Sequence, residues 1–174
     1  MPTLSEQVED DEKVVRLSKA FHKLGIYRID AKSIETEMAT IQSIRVANKL
    51  DVIKDDLVGQ VIANSARDQG YRSRLAEMSF KAYRAKHKLS IAVDKLKRYL
   101  QVEYRSEISQ TYKTQADRRD FIDSTLEEFV AFIRDMEHLG EQADLLIEDI
   151  DKNAWGLKLV LNAVEVHTQR EHAL

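Results

Sequence analysis

No cysteine occurs among the 174 residues, which excludes a disulfide framework and any thiolate metal site. A single proline and five glycines leave too little turn chemistry for a fold built of many short strands. No run approaches the roughly 18–20 uninterrupted apolar residues that a membrane-crossing helix requires. The opening segment MPTLSEQVEDDEK has no apolar stretch, so no signal peptide and no membrane association is expected. Together with the missing cysteines, this gives a cytoplasmic location as the expectation.

Catalytic signatures are missing as well. There is no glycine-rich phosphate loop, no nucleophile elbow and no triad pattern. The five histidines are scattered, and His167 and His172 lie five apart rather than at the four-residue spacing that suits a helical metal site. Asp135 and His138 share a helix face, but a di-iron bundle needs paired Glu-x-x-His motifs and further glutamates, which are absent. No enzyme activity, metal or cofactor is expected. Trp155, beside Gly156, is read as a packing anchor rather than a ligand platform.

What the chain has in abundance is Ala, Leu, Glu, Lys, Arg and Gln, all good helix formers. An all-α fold follows, with a long central helix packed against carboxyl-terminal helices as a hairpin or bundle. One compact unit is expected, divided into an amino-terminal helical region (1–70) and a basic helix followed by acidic helices (71–174). Val14, Leu17, Phe21 and Leu24 define a first helix, ending at Gly25, after a polar start expected to fray. Ile26 to Asp30 reads as an extended connector. Asp30 is placed to cap a second helix with Ile34, Met38, Ile41 and Ile44 on one face. A third apolar series, Leu50, Ile53, Leu57 and Val61, is expected to close at Gly70.

From Tyr71 to about Arg105 a heptad can be written, with Leu75, Ala82, Leu89 and Leu96 at a and Met78, Ala85, Ala92 and Tyr99 at d. So narrow a seam needs a partner helix, within the chain or in a homo-oligomer. Ser106 to Thr114 reads as a loop, and Thr114 with Asp117 as the capping box of the next helix. There Ile122, Leu126, Phe129, Ile133, Met136 and Leu139 make an apolar stripe, continued by Ala143, Leu146, Ile150, Ala154, Leu157, Leu161 and Val164. Gly140 could end a helix or lie inside one.

The net charge of −3 hides a strong segregation: residues 71–105 hold 10 basic and 3 acidic side chains, and residues 120–174 hold 4 basic and 13 acidic. In the heptad frame Arg74, Lys81, Lys88 and Lys95 fall at g, and Arg84, Arg98 and Arg105 at c. These positions lie about 40° apart on a helix of roughly 3.6 residues per turn, so the cations form one ribbon. Its length, more than about 40 Å at about 1.5 Å per residue, suits an extended polyanion better than a small anion. Tyr83, Tyr104 and Tyr112 are interleaved with it, and single strands bind cationic grooves that offer aromatic rings to their bases. Tyr99 is assigned to the core. The ordinary alternative is that the cations pair with acids of a neighbouring helix, Glu137, Glu141, Asp144, Glu148 and Asp151 among them. An anionic membrane surface fits less well, because the apolar flank is narrow and alanine-rich.

The stretch AYRAKHKLSIAVDKLKRYLQVEYRS, with Lys95, Leu96, Lys97, Arg98, Tyr99 and Tyr104, resembles the lysine-rich helix and tyrosine cluster of the bacteriophage recombination mediator family (UvsY type). The segment IDKNAWGLKLVL offers Lys152, Ala154, Trp155, Leu157 and Lys158 against that family's basic-glycine-aromatic signature. The likeness covers about Tyr71 to Gln169; Asn153 and Ala154 stand where the family has arginine and glycine, and residues 1–70 have no counterpart. It implies a ring-like homo-oligomer that binds single-stranded DNA and contacts a recombinase and a single-strand-binding protein, helping to load the recombinase. The residues expected to touch the strand are Arg74, Lys81, Arg84, Lys88, Lys95, Lys97, Arg98, Tyr104 and Arg105. The competing reading is a coiled-coil structural or adaptor protein without nucleic-acid binding.

Overall fold

The structure, a computed structural model, describes residues 3–23, 29–47 and 56–171. Every regular element among them is a helix: α1 (Leu4–Glu9), α2 (Glu12–Lys23), α3 (Ala31–Ala47), α4 (Leu57–Glu103), α5 (Arg105–Thr111), α6 (Gln115–Thr125) and α7 (Glu127–Glu171). The all-α expectation holds, and the long helix α4 packs against the carboxyl-terminal helix α7. Contacts divide the chain into two compact units, one of residues 1–31 and 81–138, the other of 32–80 and 139–174.

In the first unit, the later part of α4 lays Leu89, Val93, Leu96 and Leu100 into a core with Val8, Val14, Ile108, Phe121, Ile122, Leu126 and Phe129. Phe21 seals one side, its ring meeting Phe129 and Phe132 edge-on at centroid distances of 5.3 and 5.2 Å. The heptad seam is buried as expected from Leu75 to Leu89, but farther on Ala92 and Tyr99 are only half-buried and Val93 and Leu100 take their places. A helix of 3.6 residues per turn drifts by about 20° per heptad against a strict seven-residue repeat, so after two heptads the next position round the helix faces the core.

Several expected boundaries are displaced. The polar start is not frayed: Thr3 and Glu6 form a capping box, Glu6 N–H donating to Thr3 Oγ1 at 3.3 Å and Thr3 N–H to Glu6 Oε2 at 2.7 Å. Ser106 to Thr114 is not a loop throughout. Its first part is α5, anchored by the buried Ile108 and separated from α4 by Tyr104, whose φ of −99° and ψ of 22° break the helical path. The Thr114–Asp117 capping box is present as read from the sequence. Leu24 to Arg28 and Asn48 to Asp55, with the helix end expected at Gly25, part of the connector and the start of the third apolar series, lie outside the described residues.

The second unit gathers α3, the early part of α4 and the later part of α7 around Met38, Ile41, Val61, Leu75, Met78, Leu139, Ala143, Ile150 and Leu157. Here α4 runs through Gly70 without interruption, and no described glycine has positive φ. One glycine costs a helix only about 1 kcal/mol, and the helix is pinned on both sides. Asp68, 7% exposed, accepts from Arg45 Nε at 3.1 Å and Asn153 Nδ2 at 3.0 Å, and Leu75 is fully buried. Gly140 lies buried within α7, so of its two possible roles the structure selects the interior one.

Candidate nucleic-acid interface

A phosphate track needs cations held along one face and left without carboxylates to neutralise them. Within the first unit, Arg84, Lys88, Lys95 and Arg98 ride on α4, and Arg105 opens α5. All are exposed except the half-buried Lys88. Among the described residues none of the five has a carboxylate within 4.0 Å. Asp94 sits four residues before Arg98, a spacing that favours pairing, yet the two do not close. Arg84 with Lys88 at i, i+4 and Lys95 with Arg98 at i, i+3 are like-charge neighbours, each opposing the helix by about 0.2–0.5 kcal/mol.

Four of the five acids expected to cover this ribbon, Glu137, Asp144, Glu148 and Asp151, are engaged elsewhere. Glu137 pairs with Lys86 in the first unit. In the second unit Asp151 accepts from Arg72 Nε at 2.8 Å, Asp144 accepts from the Ser79 hydroxyl at 2.7 Å, and Glu148 pairs with Lys152 of its own helix at 2.7 Å. Arg72, Ser79 and Lys86 all occupy heptad position e. At about 100° per residue, e lies about 180° round the helix from the midpoint of c and g. Glu137, Asp144 and Asp151 therefore meet α4 on the side away from the ribbon, and among the described residues none of the four acids pairs with Arg84, Lys88, Lys95, Arg98 or Arg105.

The remaining expected site residues are differently placed. Arg74, in the second unit, donates to Glu37 Oε1 at 2.6 Å and to Glu77 Oε2 at 2.8 Å; these bonds hold its guanidinium firmly protonated. Lys97, at heptad position b, pairs with Asp123 of α6 at 2.6 Å. Lys81 is exposed but engaged. The Tyr104 hydroxyl donates to Asp11 Oδ2 at 3.1 Å, and Tyr112 stacks on Phe121 with a centroid distance of 4.9 Å and an interplanar angle of 26°. Tyr104 and Tyr112 are thus committed within the first unit and are not free platforms for bases, Tyr104 being bonded to the start of α2 and Tyr112 stacked on a ring of α6. Tyr99 does serve the core, its hydroxyl donating to Asp11 and its ring lying under Lys13 Nζ at 3.3 Å.

Two cavities bear on function. In the first unit a cavity of about 230 Å³ lies where α5 and α6 meet the end of α4, lined by Arg105, Arg118 and Arg119. Arg118 and Arg119 escaped the sequence reading because they belong to a segment of nearly balanced charge; the adjacent RR pair was the available signal. In the second unit a surface depression of about 630 Å³ on α7 is lined by Asp144, Glu148, Asp151, Lys152 and Trp155. Trp155 is 64% exposed and is therefore not the packing anchor expected, since α7 turns Leu157, not Trp155, into the unit. Among the described residues no group of three or more His, Cys, Asp or Glu is placed to hold a metal ion, and no helix is long and apolar enough to cross a membrane. No family model, curated protein or solved structure matches the chain.

Proposed function

We propose that the chain is a single-stranded DNA-binding accessory protein that assists homologous recombination or replication by promoting recombinase loading, without catalysing a reaction itself. The observation that carries the binding reading is the set of five cations, Arg84, Lys88, Lys95, Arg98 and Arg105, without carboxylate partners among the described residues, while Glu137, Glu148 and Asp151 of α7 pair with other groups. The recombinase, the single-strand-binding protein and the homo-oligomer enter through the resemblance to the UvsY-type family. With Tyr104 and Tyr112 engaged, recognition rests on phosphate neutralisation, which gives little sequence preference and strong salt dependence.

The test is fluorescence anisotropy of a labelled single-stranded oligonucleotide at several salt concentrations, with a Lys88→Glu, Lys95→Glu, Arg98→Glu variant alongside. Binding is expected to weaken with salt, each neutralised phosphate contributing about −0.7 to the slope of log K against log salt. The variant is expected to lose at least about tenfold in affinity and to flatten the slope by about 2. An absence of binding at low salt sinks the proposal.

A second reading, a coiled-coil structural or adaptor protein, draws on the pairs Lys86–Glu137, Lys97–Asp123 and Arg72–Asp151, which join elements within their units. It expects Lys97→Ala and Arg72→Ala to weaken assembly, with no oligonucleotide binding to lose.

A further inference from the structure

The cavity at the end of the ribbon has a lining of one electrostatic kind. Three guanidinium groups, those of Arg105, Arg118 and Arg119, share its wall with Gln101, Ser109 and Gln115, and among the described residues no carboxylate lines it. Ile108 and Ile122, 3% and 2% exposed, supply its apolar part and fix it to the core of the first unit. Arg118 is half-buried and held in place: its Nε donates to the Tyr112 carbonyl at 2.8 Å and its Nη2 to the Lys113 carbonyl at 3.2 Å. Arg105 and Arg119 are exposed and have no ion pair among the described residues. One fixed guanidinium and two adjustable ones, with amide and hydroxyl groups beside them, match a dianion of several oxygens, because planar N–H forks engage phosphate oxygens in pairs. The volume, about 230 Å³, is below the roughly 300–1,000 Å³ of sites for drug-sized ligands. It suits a phosphate group with a small attached fragment.

We infer that this cavity is a seat for a phosphate monoester. The seat stands on the cavity's own geometry. Its assignment to the phosphorylated end of a single strand rests on the ribbon reading above, since Arg98 and Arg105 lead from the ribbon to the cavity wall. A terminal phosphate differs from the internal phosphates of a strand in carrying a second charge and three free oxygens, which a cluster of guanidinium groups can distinguish.

The experiment uses the whole chain and follows the arginine Nε–H resonances by heteronuclear NMR. Inorganic phosphate is the first probe, with chloride at matched ionic strength as control. Saturable shifts of Arg105, Arg118 and Arg119, with a dissociation constant of about 1 mM or tighter, are expected. The Arg118 shift should disappear in an Arg105→Gln, Arg119→Gln variant, whose replaced side chains have no ion pair among the described residues, and should persist in Arg84→Gln. Shifts that do not saturate, or that survive unchanged in the double variant, overturn the seat. The second probe is one oligonucleotide prepared with and without terminal phosphates. Displacement of inorganic phosphate by the phosphorylated form alone supports the strand-end assignment, and equal displacement by both overturns it. If phosphate saturates the cavity and neither oligonucleotide binds the chain, the seat stands and the ribbon reading falls.

Discussion

The Tyr99 hydroxyl donates to the Asp11 carboxylate at 3.0 Å across 88 residues of sequence, joining the middle of the chain to the start of α2. Asp11 simultaneously accepts the Lys13 N–H at 2.8 Å, so one side chain caps α2 and ties it to α4. Burial pushes this carboxyl up, but the hydrogen bonds from Lys13, Tyr99, Tyr104 and Val14 together hold it below its ordinary value of 3.8. The same bond to Asp11, with burial, pushes the Tyr99 phenol up to about 12.

Replacing Asp11 with Ala is expected to destabilise the protein by about 1–2 kcal/mol at neutral pH, the usual range for loss of an N-cap acceptor. A depressed carboxyl contributes stability that is fully present above its unfolded value and lost as pH falls through its folded one. The difference in urea midpoint between wild type and Asp11→Ala should therefore be constant near neutrality and shrink below about pH 3.8. At the other end, a raised phenol loses its contribution as pH rises past 10. Spectrophotometric titration should show one tyrosine ionising near 12 in the wild type and closer to 10 in the variant. A difference that stays constant down to pH 3 would remove Asp11 from this role.

Arg45 tests the second unit. Burial pushes its guanidinium toward deprotonation, but hydrogen bonds to Asp149 and Asp68 keep it firmly charged. The two acids are not equivalent, because the Asp68 side chain is 10% exposed and that of Asp149 is 66% exposed. Asp68→Ala leaves Asn153 without its acceptor and Arg45 with Asp149 alone, and is expected to cost about 2 kcal/mol. Asp149→Ala should cost less than about 1 kcal/mol. Chemical denaturation of the two variants side by side gives the comparison, and equal losses would contradict the packing described.

Gly70 tests the continuity of α4. It is exposed, a Cβ there would meet nothing within 4 Å, and its φ is not positive. Gly70→Ala should stabilise the protein by about 0.5–1 kcal/mol through the entropy glycine loses on helix formation, read as a higher urea midpoint at unchanged m. A turn at Gly70 would reverse the sign.

These residues also show where the sequence was informative. Thr114 and Asp117 form the capping box their spacing announces, and Leu75 to Leu89 bury as the heptad requires, because both patterns are local. The shift to Val93 and Leu100 was missed because a strict seven-residue frame ignores the drift of about 20° per heptad that a straight helix accumulates. The partners of Arg74 and Lys97 were not legible, because Glu37 and Asp123 lie on separate elements and nothing in the local pattern brings them near. Five ribbon cations lie without a carboxylate partner among the described residues, while Tyr104 is drawn to the Asp11 carboxylate and Tyr112 to the Phe121 ring, partners that heptad spacing does not announce. α5 was missed because one apolar residue, Ile108, holds an otherwise polar segment.

Both units are discontinuous, with their segments alternating along the chain: 1–31 and 81–138 in one, 32–80 and 139–174 in the other. A ribosome emitting this chain therefore delivers the opening of each unit well before its completion. Asp149 follows Arg45 by 104 residues, which at about 5–20 residues per second means a delay of roughly 5–20 s. During synthesis α3 waits with Arg45 lacking the Asp149 carboxylate of α7, and the first unit, whose last segment ends at residue 138, is the earlier of the two to have all its parts outside the exit tunnel.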